Sequence, residues 1–169
     1  MRLIHCTRKL LKEFKVIPVD LTTHTQDSEG LGNWYANLLR TDKRKCILFT
    51  NGKTLYSFLI PRVVKSNLQN IKNEFLTHLT FNLQNEGFDL AIIDKVRQEY
   101  REIGFATTIN RAVLGSMTDF TFQYKFLIIR DGGLENANIL KINRTVNQSP
   151  MSVLRYRYPI EALKMLLAK

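Results

Sequence analysis

A chain of 169 residues with 44% hydrophobic and 10% aromatic residues can bury an ordinary core without metal or disulfide support. Its 25 Lys and Arg against 15 Asp and Glu give a formal charge of +10 and a pI near 9.8, which biases encounters toward polyanions and acidic surfaces. No run is long and apolar enough for a membrane span or a signal peptide, since His5, Arg8 and Lys9 interrupt the N-terminal one, so a cytoplasmic protein without membrane contact is expected.

In chain order, RLIHC at residues 2–6 is a short β-prone run. Thr7 then stands where a helix cap would, ahead of a helix that turns Leu10, Leu11 and Phe14 inward and Arg8, Lys9, Lys12 and Lys15 outward. From Val16 to Asn33 the text is polar and turn-rich, the longest irregular connection. Three apolar runs follow, WYANLLRT, CILFT and TLYSFLIP, joined first by DKRK and then by Asn51-Gly52. Asn-Gly tolerates positive φ at both central positions of a type I′ turn, so an antiparallel meander is expected over about residues 33–61, ended by Pro61. Its first tip gathers Arg40, Lys43, Arg44 and Lys45 within six residues. Cys6 and Cys46 fall in strand-like runs with no CxxC pair, which points to buried, reduced thiols rather than zinc.

After Pro61 the apolar period changes from two to between three and four. Ser66 and Gln69 offer a capping box, and Leu68, Ile71, Phe75, Leu79 and Leu83 mark a helix that Gly87 can close in a left-handed conformation. Asp89 can cap a second helix with Ile93, Val96, Tyr100 and Ile103 inward, making an αα-hairpin over about 66–103. GFATTIN is a brief β-prone run, and Asn110 then caps a segment with two periods. Val113, Met117, Phe120, Tyr124 and Leu127 repeat as a helix, whereas Phe120, Phe122, Tyr124, Phe126 and Ile128 alternate as a strand. A helix over about 111–129 is favoured, with a strand from 120 as the alternative. ILKINRT reads as a strand, VLRYRY as an extended run, and PIEALKMLLAK as a helix opened by Pro159. The whole is a single α+β domain: a β-meander packed with an αα-hairpin, a further helix, and a C-terminal strand and helix.

Chemistry-bearing residues are sparse. Gly115-Ser116 lacks the preceding strand, second glycine and histidine base of a nucleophile elbow, so the pair reads as small residues that let another element approach a helix, with Asp119 paired to a nearby backbone or basic group. His5, His24 and His78 share no metal-ligand spacing; a ribonuclease built around one histidine and distant basic residues would start with His24, near Asp20 and Asp27. No P-loop, dinucleotide fingerprint or zinc signature is present, so no cofactor is expected. Basic residues interleaved with aromatics give the best hint. In an extended run Arg155 and Arg157 would project to one face and Tyr156 and Tyr158 to the other. With Arg8, Lys9, Lys12 and the hairpin-tip cations they could form one basic surface; the competing reading is separate solvated patches with the tyrosines in the core.

The segments CTRKLLKEF, NWYANLLRTDKRKCILFTNGKTLYSFLIP, EGF and NRAVLGSMTDFTFQYKFLI resemble a family of small bacterial proteins classified only as a domain of unknown function, over about residues 1–130. That resemblance implies a bacterial origin and a single domain, and no mechanism. The tail NQSPMSVLRYRYPIEAL resembles the end of integrase-type transposase domains, but those enzymes hold two metal ions on three acidic residues, and RLIHC, CILFT and TLYSFLIP carry none. The leading expectation is a non-enzymatic basic module that binds a polyanion such as nucleic acid through phosphate contacts, using Arg8, Lys9, Lys12, Arg40, Lys43, Arg44, Lys45, Arg155 and Arg157. The alternatives are a protein-interaction module with an acidic partner or a second copy of itself, and a small toxin-type ribonuclease.

Overall fold

A computed structural model describes residues 1–18 and 29–169. Strands β1 (Arg2–Cys6), β2 (Trp34–Thr41), β3 (Arg44–Asn51), β4 (Ser57–Ile60) and β5 (Ile103–Thr107) form one sheet in the order β4-β3-β2-β1-β5. β2, β3 and β4 are the expected antiparallel meander, and β1 lies between β2 and β5, parallel to both. A parallel strand is covered on both faces, which is why RLIHC reads as a continuous rather than an alternating apolar run.

Helices α1 (Arg8–Phe14), α2 (Lys65–Gln69), α3 (Ile71–Asn85) and α4 (Leu90–Glu99) pack on one face; α5 (Arg111–Arg130) and α6 (Ile139–Val146) cover the other. The first core centres on Trp34, Phe49, Phe58 and Phe75, with the Trp34 and Phe75 rings edge to face at 5.4 Å, and also takes in Ile160 and Leu163 of α7 (Pro159–Leu167). The second takes Tyr35, Leu39, Cys46, Leu48 and Leu59 from the sheet and Val113, Met117, Phe120, Tyr124 and Leu127 from α5. The helical period therefore decides 111–130, and the strand alternative from 120 is set aside. Asp89 accepts from the Ile92 amide and Asn110 from those of Ala112 and Val113, as their positions suggested.

Several local expectations are corrected. The type I′ signature belongs to the first hairpin, where Asp42 and Lys43 have φ of 50° and 58° between the paired Thr41 and Arg44. At the second hairpin Gly52 is not left-handed. There the Asn51 Oδ1 accepts from the Lys53 and Thr54 amides and the Thr54 hydroxyl, and a longer turn closes through Asn51 N to Tyr56 O at 2.8 Å. The buried Asn51 side chain organises that turn, and its Nδ2 also donates to Leu31 O. Ser66 and Gln69 form no capping box, because the cap position falls two residues earlier, at Val64, and the Asn67 side chain accepts from the Val64 amide. The Thr7 hydroxyl donates to Asn37 Oδ1 instead of capping α1.

The expected C-terminal strand is absent. ILKINRT is helix α6, with Ile142 and Val146 buried at helical spacing, and VLRYRY is a 3-10 turn (Ser152–Leu154) followed by left-handed Arg155 and Tyr156. What holds α6 is the edge of the sheet. Asn147 accepts from the Ser57 amide at 2.8 Å and donates to Ser57 O at 2.7 Å, while Asn143 accepts from the Leu59 amide. Four residues apart on one helix face, the two amides satisfy β4 backbone groups that would otherwise be an open edge. Tyr124 OH and the Asn82 side chain complete the network around Asn143.

A candidate basic surface

Helix α1 packs against β2 with Leu10, Leu11 and Phe14, which leaves Arg8, Lys9 and Lys12 exposed on its outer side. Strand parity decides where the hairpin cations go. Arg40 alternates with Leu38 and Ala36, and its cross-strand partner Lys45 alternates with Ile47 and Phe49, so both project toward the α1 face of the sheet. Two like charges directly opposite repel. Glu13 of α1 relieves this, accepting from Lys45 Nζ at 2.8 Å. That hydrogen bond is the largest cause holding the Glu13 carboxyl below its ordinary range; burial opposes it, and the positive charges of Lys45, Arg40 and Lys9 add to the lowering. Lys9, Arg40 and Lys45, from three different elements, thus share one electrostatic neighbourhood.

Beside them a groove of about 530 Å³ is lined by Glu13, Lys15, Lys45, Val63, Val64, Lys65 and Leu68. The sequence places Lys15 on the outward face of the first helix without naming it as a binding residue, and does not single out Lys65. Lys15 follows α1 directly and continues its basic face, whereas Lys65 lies twenty residues beyond Lys45 and no local pattern links them.

The other expected residues do not join this surface. Lys43 sits exposed at the tip, and Arg44 shares the parity of Cys46 and Leu48, turning to the opposite face where Asp42, Arg62 and Glu135 also line a pocket. Arg155 and Arg157 line a separate pocket of about 360 Å³ with Lys53 and Lys169. Lys53 follows the far end of β3, so at about 3.4 Å per residue the two basic regions stand roughly 25 Å apart. Arg155 does not alternate with the tyrosines in an extended run, and Tyr156 is 75% exposed rather than packed in the core.

The remaining candidate chemistry resolves as structure. His5 is buried, stacked on Tyr35 at 4.8 Å, with Nδ1 2.8 Å from Thr107 O. His78 is half-buried on α3, and burial pulls its pKa down against the nearby Glu74. His24, Asp20 and Asp27 lie outside the described residues. Burial pushes the Cys6 and Cys46 thiols up, so both are free and unreactive as thiolates. Ser116 is buried with its hydroxyl on Ala112 O, which fits a structural role. Gly115 does not serve a close approach within the molecule, since a Cβ there would meet nothing within 4 Å, and Asp119 is exposed without an ion pair among the described residues. Among those residues no group of three or more His, Cys, Asp or Glu side chains could hold a metal, and no helix is long and apolar enough to cross a membrane.

A family model described as Domain of unknown function (DUF6933) matches residues 3–162, from β1 into α7. The chain belongs to that family. The match extends past the residue-130 limit of the sequence resemblance and takes in α6, its asparagine pair and the Arg155 turn, so the tail is part of the same domain family. Comparison with curated proteins gives no match.

Proposed function

We propose that the domain binds a polyanion, most plainly the phosphate backbone of a nucleic acid, on the surface formed by α1, the outer part of the β2–β3 hairpin and the start of α2. The observation that carries this reading is the convergence of Lys9, Arg40 and Lys45 on Glu13, with Lys15 and Lys65 lining the adjoining groove. Among the described residues, five cations against one carboxylate exceed what is needed to balance Glu13, and they come from elements whose positions the core packing sets. Point-charge lysines outnumber arginine here, which suits phosphate contacts rather than bidentate reading of base edges.

The test is the salt dependence of binding to generic single- and double-stranded oligonucleotides by fluorescence anisotropy. Each phosphate contact contributes about 0.7 to 0.9 to the slope of log affinity against log salt. Lys9→Ala and Arg40→Ala should each lower that slope by about one contact and weaken all sequences alike. Flat salt dependence, or slopes that neither variant changes, would remove the reading.

A further inference from the structure

Helix α7 carries apolar residues on two sides. Ile160, Leu163 and Leu167 pack on the first core, whereas Ala162, Met165 and Leu166, at i, i+3 and i+4, centre roughly 140° away round the helix, Leu166 touching that core at its edge. This second stripe lines the pocket of Arg155 and Arg157, together with Val153 and Leu154 of the preceding turn. Five aliphatic side chains and two guanidiniums thus share about 360 Å³, and no Asp, Glu or aromatic residue is among the described residues that line it. Val153 and Met165 are both 53% exposed, so the apolar surface is open to solvent.

The arginines spring from a fixed frame. Five backbone hydrogen bonds close residues 151–157 on themselves, among them Tyr156 N to Met151 O at 2.8 Å and Met151 N to Arg157 O at 3.1 Å. Arg155 and Tyr156 are held left-handed at φ 55° and 64°, a region that residues with side chains enter at a cost. Arg157 Nη1 stands 3.6 Å from Met165 Sδ, so charge borders the apolar wall directly. Neither guanidinium makes an ion pair among the described residues, whereas Lys53, on the β3–β4 turn, is tied to Gly30 O at 2.9 Å.

We infer that this pocket binds an anionic amphiphile, with a carboxylate or phosphate head on Arg155 and Arg157 and an aliphatic chain along Ala162, Met165 and Leu166. The planar fork of arginine takes such oxygens two at a time. Each half of the pocket disfavours ligands that lack the matching half. A polyphosphate would lose hydration against the aliphatic walls, and an uncharged hydrocarbon would strip water from unpaired guanidiniums. Nucleic-acid bases would ask for aromatic stacking partners, which the described lining does not supply. The volume is at the small end for ligand clefts, about 300 to 1,000 Å³, which suits one short chain. The pocket lies at the opposite end of the β2–β3 hairpin from the groove beside Glu13, so it stands or falls independently of polyanion binding.

Isothermal titration of the full chain with octanoate at about 0.1 M salt should show saturable one-to-one binding. Acetate lacks the chain and octanol the charge, and each should bind about tenfold more weakly or worse. Arg155→Gly with Arg157→Gln removes both guanidiniums while suiting the left-handed backbone at 155, and Ala162→Glu sets a carboxylate in the path of the chain without touching either arginine. Both variants should lower octanoate affinity by about tenfold or more with the circular-dichroism spectrum retained, and either one decides if the other folds poorly. Lys9→Ala with Arg40→Ala should leave it unchanged. Co-sedimentation with vesicles of phosphatidylcholine and phosphatidylglycerol in equal parts separates the sources of the amphiphile. Vesicle binding that octanoate displaces means a lipid head in a bilayer; no vesicle binding, or binding that octanoate leaves in place, means a free amphiphile. No saturable octanoate binding, acetate or octanol binding as tightly as octanoate, folded pocket variants that bind it unchanged, or a loss caused by Lys9→Ala with Arg40→Ala would overturn the inference.

Discussion

Glu13 lies within hydrogen-bonding distance of Lys45 and in the field of Arg40 and Lys9, so its proton is bound less readily in the folded chain than in the unfolded one. A carboxylate with a depressed folded pKa adds stability that is complete above its unfolded value, about 4.3, and that is lost as pH falls through the folded value. The pair is partly exposed, so the amount is small, about 1 kcal/mol at most. Its larger consequence concerns binding. Glu13→Gln removes the one carboxylate that the described residues place among the clustered cations and should raise affinity for an oligonucleotide several-fold at low salt, with only a slight change in the melt. A drop in affinity would mean that Glu13 positions Lys45 for contact rather than neutralising it.

The two hairpins of the meander show how turn chemistry is divided between backbone and side chain. Asp42-Lys43 adopts the left-handed pair of a two-residue turn although neither residue is glycine, and the Asp42 carboxylate accepts from the Leu134 amide at 2.6 Å. That tertiary bond fixes Asp42 but leaves Lys43 in a conformation that costs a side-chain-bearing residue about 1 kcal/mol. Lys43→Gly should therefore stabilise the protein by about 0.5 to 1 kcal/mol in urea unfolding despite the general cost of glycine in the unfolded state. No gain would show that the turn is not strained. Gly52 is the opposite case. It needs no positive φ, yet a Cβ there would stand 3.1 Å from Asn33 O and 3.2 Å from the Tyr35 ring, so its constraint is crowding by β2 and the segment before it.

Across the whole molecule, charge is distributed by topology. The basic groove and the pocket containing Arg155 and Arg157 occupy opposite ends of the β2–β3 hairpin, so a single short oligonucleotide should not need both. Replacing Arg155 and Arg157 together by alanine should leave the salt slope for a short single strand within experimental error, whereas Lys9→Ala and Arg40→Ala together lower it by about two contacts. A shared loss would show that the bound strand spans both ends.

Asp89, Asn110 and Pro159 mark their helix starts in the sequence because a cap or a first-turn proline acts on amides within three residues of itself. The meander and the inward residues of α3 and α5 are legible for the same reason, each element carrying its own period. Of the basic surface, Arg8, Lys9, Lys12, Arg40 and Lys45 could be named, but their meeting could not, since nothing near Lys9 in the chain specifies that Glu13 will reach Lys45. ILKINRT reads as a strand because its β-branched residues favour one, but its helix is selected by Asn143 and Asn147 meeting the open edge of β4, more than eighty residues away. The central place of β1, parallel to β2 and β5, and the turn at Arg155 were likewise decided only in the folded chain. Sequence alone determines what a residue can satisfy from its own neighbours, namely caps, turns and apolar faces. Which face meets which depends on burying those surfaces and their backbone groups at once, and that condition exists only in three dimensions.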